Sequence, residues 1–160
     1  MEEYIRSGIA LEMDNSQTRA IAGDIGTPFG ACTADILETA IQNLTQYFAF
    51  VGVTERFDES LVMLRATFGW RNVFYVSANV ARARRQPTAR ERELVEAHNQ
   101  LDLQLYRWVS DRFDQALCRQ PGFQADLRRF VRRNALYQPW GTLAHAWPAA
   151  ARQRVRGART

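Results

Sequence analysis

Arg82, Arg84 and Arg85 put three guanidinium groups within four positions of the stretch "ARARRQP". Each guanidinium presents a planar fork of N–H donors that matches the edge of a phosphate or sulfate group. Pro87 breaks the segment, so it reads as a loop whose arginines suit a phosphate, or as a solvated basic loop. A second candidate is "DNSQTR", where Gln17, Thr18 and Arg19 bring an amide, a hydroxyl and a guanidinium together ahead of Gly23 and a Gly-rich loop. Such a cluster suits a polyhydroxyl substrate at a cleft. The alternative is an exposed helix face capped by Asp14 or Asn15. A third is Thr54-Glu55-Arg56, which follows the apolar run "FAFVGV". Ligands in open α/β sheets gather at the carboxyl ends of strands, although a simple capped turn with solvated charges has the same sequence.

Other reactive types read more plainly. His98 and His145 sit near no nucleophile and in no metal-ligand spacing, and Cys32 and Cys118 lack an activating neighbour. We expect structural histidines, free packing thiols and no bound metal. Asp58-Glu59 fits the first turn of a helix, where negative charge is favoured. Arg128-Arg129 and Arg132-Arg133, with Arg152, Arg154, Arg156 and Arg159 beyond them, make a basic C-terminal surface. An acidic polysaccharide, a nucleic acid or a GC-biased genome would each account for it.

The elements that must position these groups follow from apolar spacing. Thr33 precedes a helix whose Leu37, Ile41, Leu44 and Phe48 form one face. "FAFVGV" at 48–53 reads as a buried strand. Phe57, Leu61, Leu64 and Phe68 mark the next helix, which Gly69 ends. "NVFYVSANV" at 72–80 reads as extended. Thr88 and Glu91 have capping-box spacing and open a helix over about residues 89–117, with Leu94, Leu101, Leu105, Val109 and Phe113 as its stripe. A shorter basic helix follows with Phe123, Leu127, Phe130 and Val131 on one side, and the last twenty residues read as a loosely packed tail.

All 21 basic residues are arginine. A phosphate-binding loop of the G-x-x-x-x-G-K-[ST] kind needs a lysine, so the chain contains none. Residues 1–60 carry three arginines and ten acids, a net of −7, whereas residues 61–160 carry eighteen and seven, a net of +11. This asymmetry favours an anionic partner for the second half. No apolar run approaches the ~18 residues of a transmembrane helix, and the acidic start "MEEYIRSG" is no signal peptide.

Taken in order, "DNSQTRAIAG", "TADILETAIQNLTQYFAFVGVTERFDESLVMLRATFGWRNVFY", "NVARARRQP" and "HNQLDLQLYRWVSDRF" resemble the carbohydrate sulfotransferase family. That group has heparan-sulfate 2-O-sulfotransferase relatives and bacterial members with a family 2 domain. The most telling piece is "FAFVGVTERFDESLVML", and the spacing of Asn99, Asp102, Leu105 and Tyr106 is similar to a later helix of the family. The likeness spans residues 1–115.

The resemblance implies a P-loop-like α/β domain that transfers sulfuryl from 3′-phosphoadenosine 5′-phosphosulfate (PAPS) to a carbohydrate hydroxyl. Attack is in-line, a base takes the hydroxyl proton, and cations stabilise the leaving phosphate. It implies that Arg82, Arg84 and Arg85 contact the nucleotide in a segment that closes over it, while Gln17, Thr18 and Arg19 remain the substrate-binding candidates read from their residue types. The family's lysine-bearing loop, its 3′-phosphate motif and its catalytic histidine have no counterpart here. The expectation is therefore a partial α/β domain over 1–117 with few strands, a basic helical tail over 118–160 packed on it, and no turnover by this chain alone. The expected partners are a carbohydrate acceptor or acidic polysaccharide; nucleic acid is not expected. The expected location is a bacterial cytoplasm, although eukaryotic relatives are Golgi membrane proteins. The alternative is a non-enzymatic module that holds polysaccharide or nucleic acid through its basic half.

Overall fold

The computed structural model describes residue 3, residues 11–77 and residues 86–157, with side chains described as far as residue 140. Six α-helices form among these residues: α1 Ser16–Ala22, α2 Ala34–Tyr47, α3 Phe57–Phe68, α4 Ala89–His98, α5 Gln100–Arg119 and α6 Phe123–Gly157. Short 3-10 turns at Leu11–Met13 and Thr54–Arg56 precede α1 and α3. Two compact units divide the chain, Met1–Val53 with Arg84–Arg119, and Thr54–Ala83 with Gln120–Thr160.

In the first unit α2 supplies Leu37, Ala40 and Leu44 to a core closed by Leu105 of α5, with Ile21, Ile41, Val51 and Trp108 packed around it. The expected face of α2 is present as far as Leu44. Phe48 lies beyond the helix end and is 49% exposed. On α5 the expected stripe holds, with Leu105 and Phe113 buried and Leu101 and Val109 packed beside them.

The expected strand over 48–53 is not formed, and no β-strand occurs among the described residues. Phe48 has extended backbone angles (φ −103°, ψ 115°), but a strand also needs a second row of free N–H and C=O groups. The neighbours in this unit are helices, whose backbone groups are already paired. The apolar run instead packs through side chains: Phe50 meets Phe113 edge-on at 6.4 Å, and Val53 is buried.

In the second unit α3 buries Ser60, Val62 and Met63, while Phe57 and Phe68 are 45% and 47% exposed. The expected stripe therefore misplaced the buried face. Leu61 to Leu64 is apolar all round, so spacing alone cannot select a side. Phe123, Phe130 and Asn134 are buried on α6. This helix continues to Gly157, where a loose tail was expected.

Residues 72–77 lie along α6 without strand pairing. The Tyr75 and Ser77 N–H groups donate to Asn134 Oδ1 (3.0 Å) and Gln138 Oε1 (3.1 Å). Two residues of extended chain advance roughly 6.6 Å and four residues of helix roughly 6 Å, so alternate N–H groups meet an i,i+4 pair in register. Stacking of Phe74 on Tyr137 at 5.2 Å, with Arg133 over the Phe74 ring, fixes the same register.

The helix expected over 89–117 is interrupted at Asn99, and the reason is a hydrogen-bonded interlock. Asn15 adopts a left-handed conformation (φ 50°, ψ 44°) that asparagine tolerates. Its Oδ1 accepts the Leu101 and Asp102 N–H groups at 2.8 and 3.2 Å, capping α5. Asp102 returns the contact: its carboxylate accepts the Gln17 N–H (3.1 Å), the Thr18 N–H (2.7 Å) and the Thr18 Oγ1 hydroxyl (2.6 Å), capping α1. Each helix thus satisfies the orphan N–H groups of the other. Asn99 closes the joint, accepting from the Asn15 N–H at 3.1 Å and donating to the Met13 and Val95 carbonyls.

Behind the interlock, Arg19 is 5% exposed and all five of its N–H donors are matched. Nε donates to the Asp14 carbonyl, Nη2 to Asp14 Oδ2 (2.6 Å) and the Pro28 carbonyl, and Nη1 to Asp24 Oδ2 (3.0 Å) and the Thr27 carbonyl. Burial pushes the Asp14 carboxyl up, but the Arg19 hydrogen bond and the Gly30 N–H outweigh it and hold the carboxyl below its ordinary range. A depressed carboxyl pKa adds stability above the unfolded-state value, about 3.9, and that stability is lost as pH falls through the folded value. Asp14→Asn should therefore cost about 3–5 kcal/mol at neutral pH, because Arg19 loses its buried partner. The dependence of stability on pH below about 4 should also flatten. Urea unfolding across that range checks both, and a variant as acid-sensitive as the parent chain contradicts the assignment.

Candidate functional site

The interlock decides what "DNSQTR" can do. Thr18 is fully buried and Arg19 nearly so, and both are engaged within the first unit. Their positions suit holding the segment rather than facing a ligand. Gln17 keeps an exposed side chain and uses only its backbone N–H in the joint. Arg82, Arg84 and Arg85 lie outside the described residues.

The Gly-rich loop at 24–32 is also internally satisfied. Asp24 Oδ1 accepts the Gly26 and Thr27 N–H groups at 3.3 and 3.2 Å, and Asp14 Oδ2 accepts the Gly30 N–H at 2.8 Å. The Gly26, Thr27 and Gly30 N–H groups are thus occupied by the chain's own carboxylates. Cys32 donates to Asp14 Oδ2 at 3.6 Å. Burial, together with the Asp14 charge, pushes its thiol up, so it is not activated as a nucleophile. His98 packs against the Phe29 ring at 4.8 Å, as a structural histidine does. Among the described residues no group of three His, Cys, Asp or Glu could hold a metal ion.

The second unit contains an open groove of about 520 Å³, built where the 3-10 turn Thr54–Arg56 feeds α3. Glu55, Asp58 and Glu59 line it beside Arg56, with Phe57 and Tyr75 as aromatic walls and Leu127 and Val131 of α6 as an apolar wall. Tyr75 is held from two sides. Its hydroxyl donates to Asp58 Oδ1 at 2.9 Å, and the Phe57 ring meets it edge-on at 4.9 Å. Burial, the Asp58 hydrogen bond and the Asp58 charge all raise the Tyr75 hydroxyl pKa, so it stays protonated and acts as a donor. Arg56 pairs with Glu59.

Carboxylates that accept hydroxyl hydrogen bonds, next to exposed aromatic rings, suit a polyhydroxyl ring with one apolar face. Thr54-Glu55-Arg56 was singled out as a ligand-side segment, and Glu55 and Arg56 do line a groove. The cause is a helix start, not a strand end. Tyr75 and Asp58 were missed as site residues. The only sequence signal for them was an aromatic in an extended run and an acid in a helix first turn.

A model described as Galactose-3-O-sulfotransferase matches residues 16–136. No curated protein matches the chain, and no solved structure does. The matched span contains α1 to α5 and every residue lining the groove, and of the interlock it holds Thr18, Asn99 and Asp102, while Asn15 lies one residue before it. It names a galactose branch of carbohydrate sulfotransferases, where the motifs alone had suggested heparan-sulfate 2-O and bacterial family 2 relatives. The chain belongs to the galactose-3-O-sulfotransferase family.

Proposed function

We propose that this chain provides the acceptor side of a reaction that moves a sulfuryl group to a carbohydrate hydroxyl, on a galactose unit. The observation that carries the reading is the family match across residues 16–136. The groove lined by Glu55, Asp58, Phe57 and Tyr75 holds the acceptor. Its aromatic walls cover the apolar face of the sugar, and its carboxylates accept hydroxyl hydrogen bonds. Gln17, Thr18 and Arg19 of the first unit are assigned to substrate binding on the sequence reading alone, with Gln17 as the exposed member of the cluster.

The family implies PAPS as sulfuryl donor. The Gly26, Thr27 and Gly30 N–H groups of the Gly-rich loop are taken by Asp24 and Asp14 and are not offered to its phosphosulfate. We assign the nucleotide contact to Arg82, Arg84 and Arg85. The P-loop-like α/β fold belongs to this reading too. The family supports it, whereas the described secondary structure is helical. No helix among the described residues is long and apolar enough to cross a membrane, and a bacterial cytoplasm is the proposed location.

The chain has no lysine, so it cannot form the family's phosphosulfate loop. Incubated with PAPS and galactose-terminated oligosaccharides, the purified chain should give no sustained sulfation; repeated turnover would overturn this part. Acceptor binding is tested separately by ligand-observed NMR with the same oligosaccharides. Tyr75→Phe keeps the ring but removes the hydroxyl, and should weaken binding about fivefold through one lost hydrogen bond. Glu55→Gln should weaken it similarly, and binding unchanged in both variants would place the acceptor elsewhere.

A further inference from the structure

α6 presents two different faces. At 100° per residue, Arg128, Arg129, Arg132 and Arg133 fall within an arc of about 140°, away from the side that buries Phe123, Phe130 and Asn134. These four arginines and Ala125 line a groove of about 330 Å³. Ala125 contributes only a methyl group and leaves a floor between the longer side chains.

The arrangement is unfavourable for an isolated helix. Arg128 with Arg132, and Arg129 with Arg133, are like-charge i,i+4 pairs, which destabilise a helix. Among the described residues, Asp126 is the carboxylate paired with this cluster. It lies 3.6 Å from Arg129 and is shared with Arg65 at 3.7 Å. Arg133 is held in place over the Phe74 ring at 5.4 Å. The groove is therefore a concentration of positive charge whose repulsion a bound polyanion would relieve.

We propose that this arginine groove binds an acidic glycan, a carbohydrate chain already bearing sulfate or carboxylate groups. The identification as a glycan rests on the proposed carbohydrate acceptor, and charge complementarity supplies the rest. Leu127 and Val131, which wall the acceptor groove, alternate on α6 with Arg128 and Arg132. A glycan could then place a hydroxyl-rich unit in one groove and its anionic neighbour in the other. Guanidinium forks suit sulfate and carboxylate alike.

The test uses the full chain without donor, so it stands apart from any transfer assay. Fluorescence anisotropy would compare a heparin hexasaccharide, neutral maltohexaose and a single-stranded DNA of matched charge. The heparin hexasaccharide should bind, and its affinity should fall steeply between about 50 and 200 mM salt. Maltohexaose and the DNA should bind about tenfold more weakly or not at all. Replacing all four arginines with glutamine should cost about tenfold or more, while Arg90→Gln with Arg92→Gln on α4 should leave binding unchanged. Circular dichroism confirms that each variant is folded. Undiminished binding in the fourfold variant, or DNA binding equal to the glycan, would overturn the proposal.

Discussion

The first unit depends on the exchange of caps between Asn15 and Asp102. Helix starts leave N–H groups that the helix itself cannot satisfy, and here two helices solve the problem for each other across 84 to 87 positions of sequence. The solution imposes further requirements. Asn15 must enter the left-handed region, Asn99 must break what would otherwise be one long helix, and Thr18 must be buried. Arg19 then anchors the loop behind α1 through five donated hydrogen bonds. Polar residues at these positions are structural because each is matched, and a single unmatched partner would leave a buried group without compensation.

That constraint explains why part of the molecule was legible in the sequence. Local signals were read correctly: the Thr88 capping box forms, and Gly69 ends its helix with a φ of 66°. The "DNSQTR" and Asn99/Asp102 motifs were noticed as separate pieces. No spacing rule says that two motifs so far apart cap each other, and so Thr18 and Arg19 read as substrate ligands. The run 48–53 has the composition of a strand but, among the described residues, no strand to pair with. Within α3, four successive apolar residues conceal which side is buried. α6 extends to Gly157, within the span read as a basic helical tail, through residues that read as its loosely packed end.

The functional reading rests on different physics in the second unit. An acidic, aromatic groove and a basic one share α6, offering hydroxyl acceptors on one side and anion donors on the other. Residues 72–77 connect the two grooves, since Tyr75 lines the first and Phe74 carries Arg133 of the second. The side-chain bonds to Asn134 and Gln138 set that segment's register, and with it the position of Tyr75 against Asp58. The family match supplies the reaction class, and the grooves suggest where its acceptor sits.

The reciprocal caps are tested most directly by a double-mutant cycle on Asn15→Ala and Asp102→Ala, followed by urea unfolding. If the two residues form one cooperative joint, the double variant should cost little more than the worse single one, giving a coupling energy of about 1–3 kcal/mol. Single costs that add to within about 0.5 kcal/mol would show two independent caps and contradict the account.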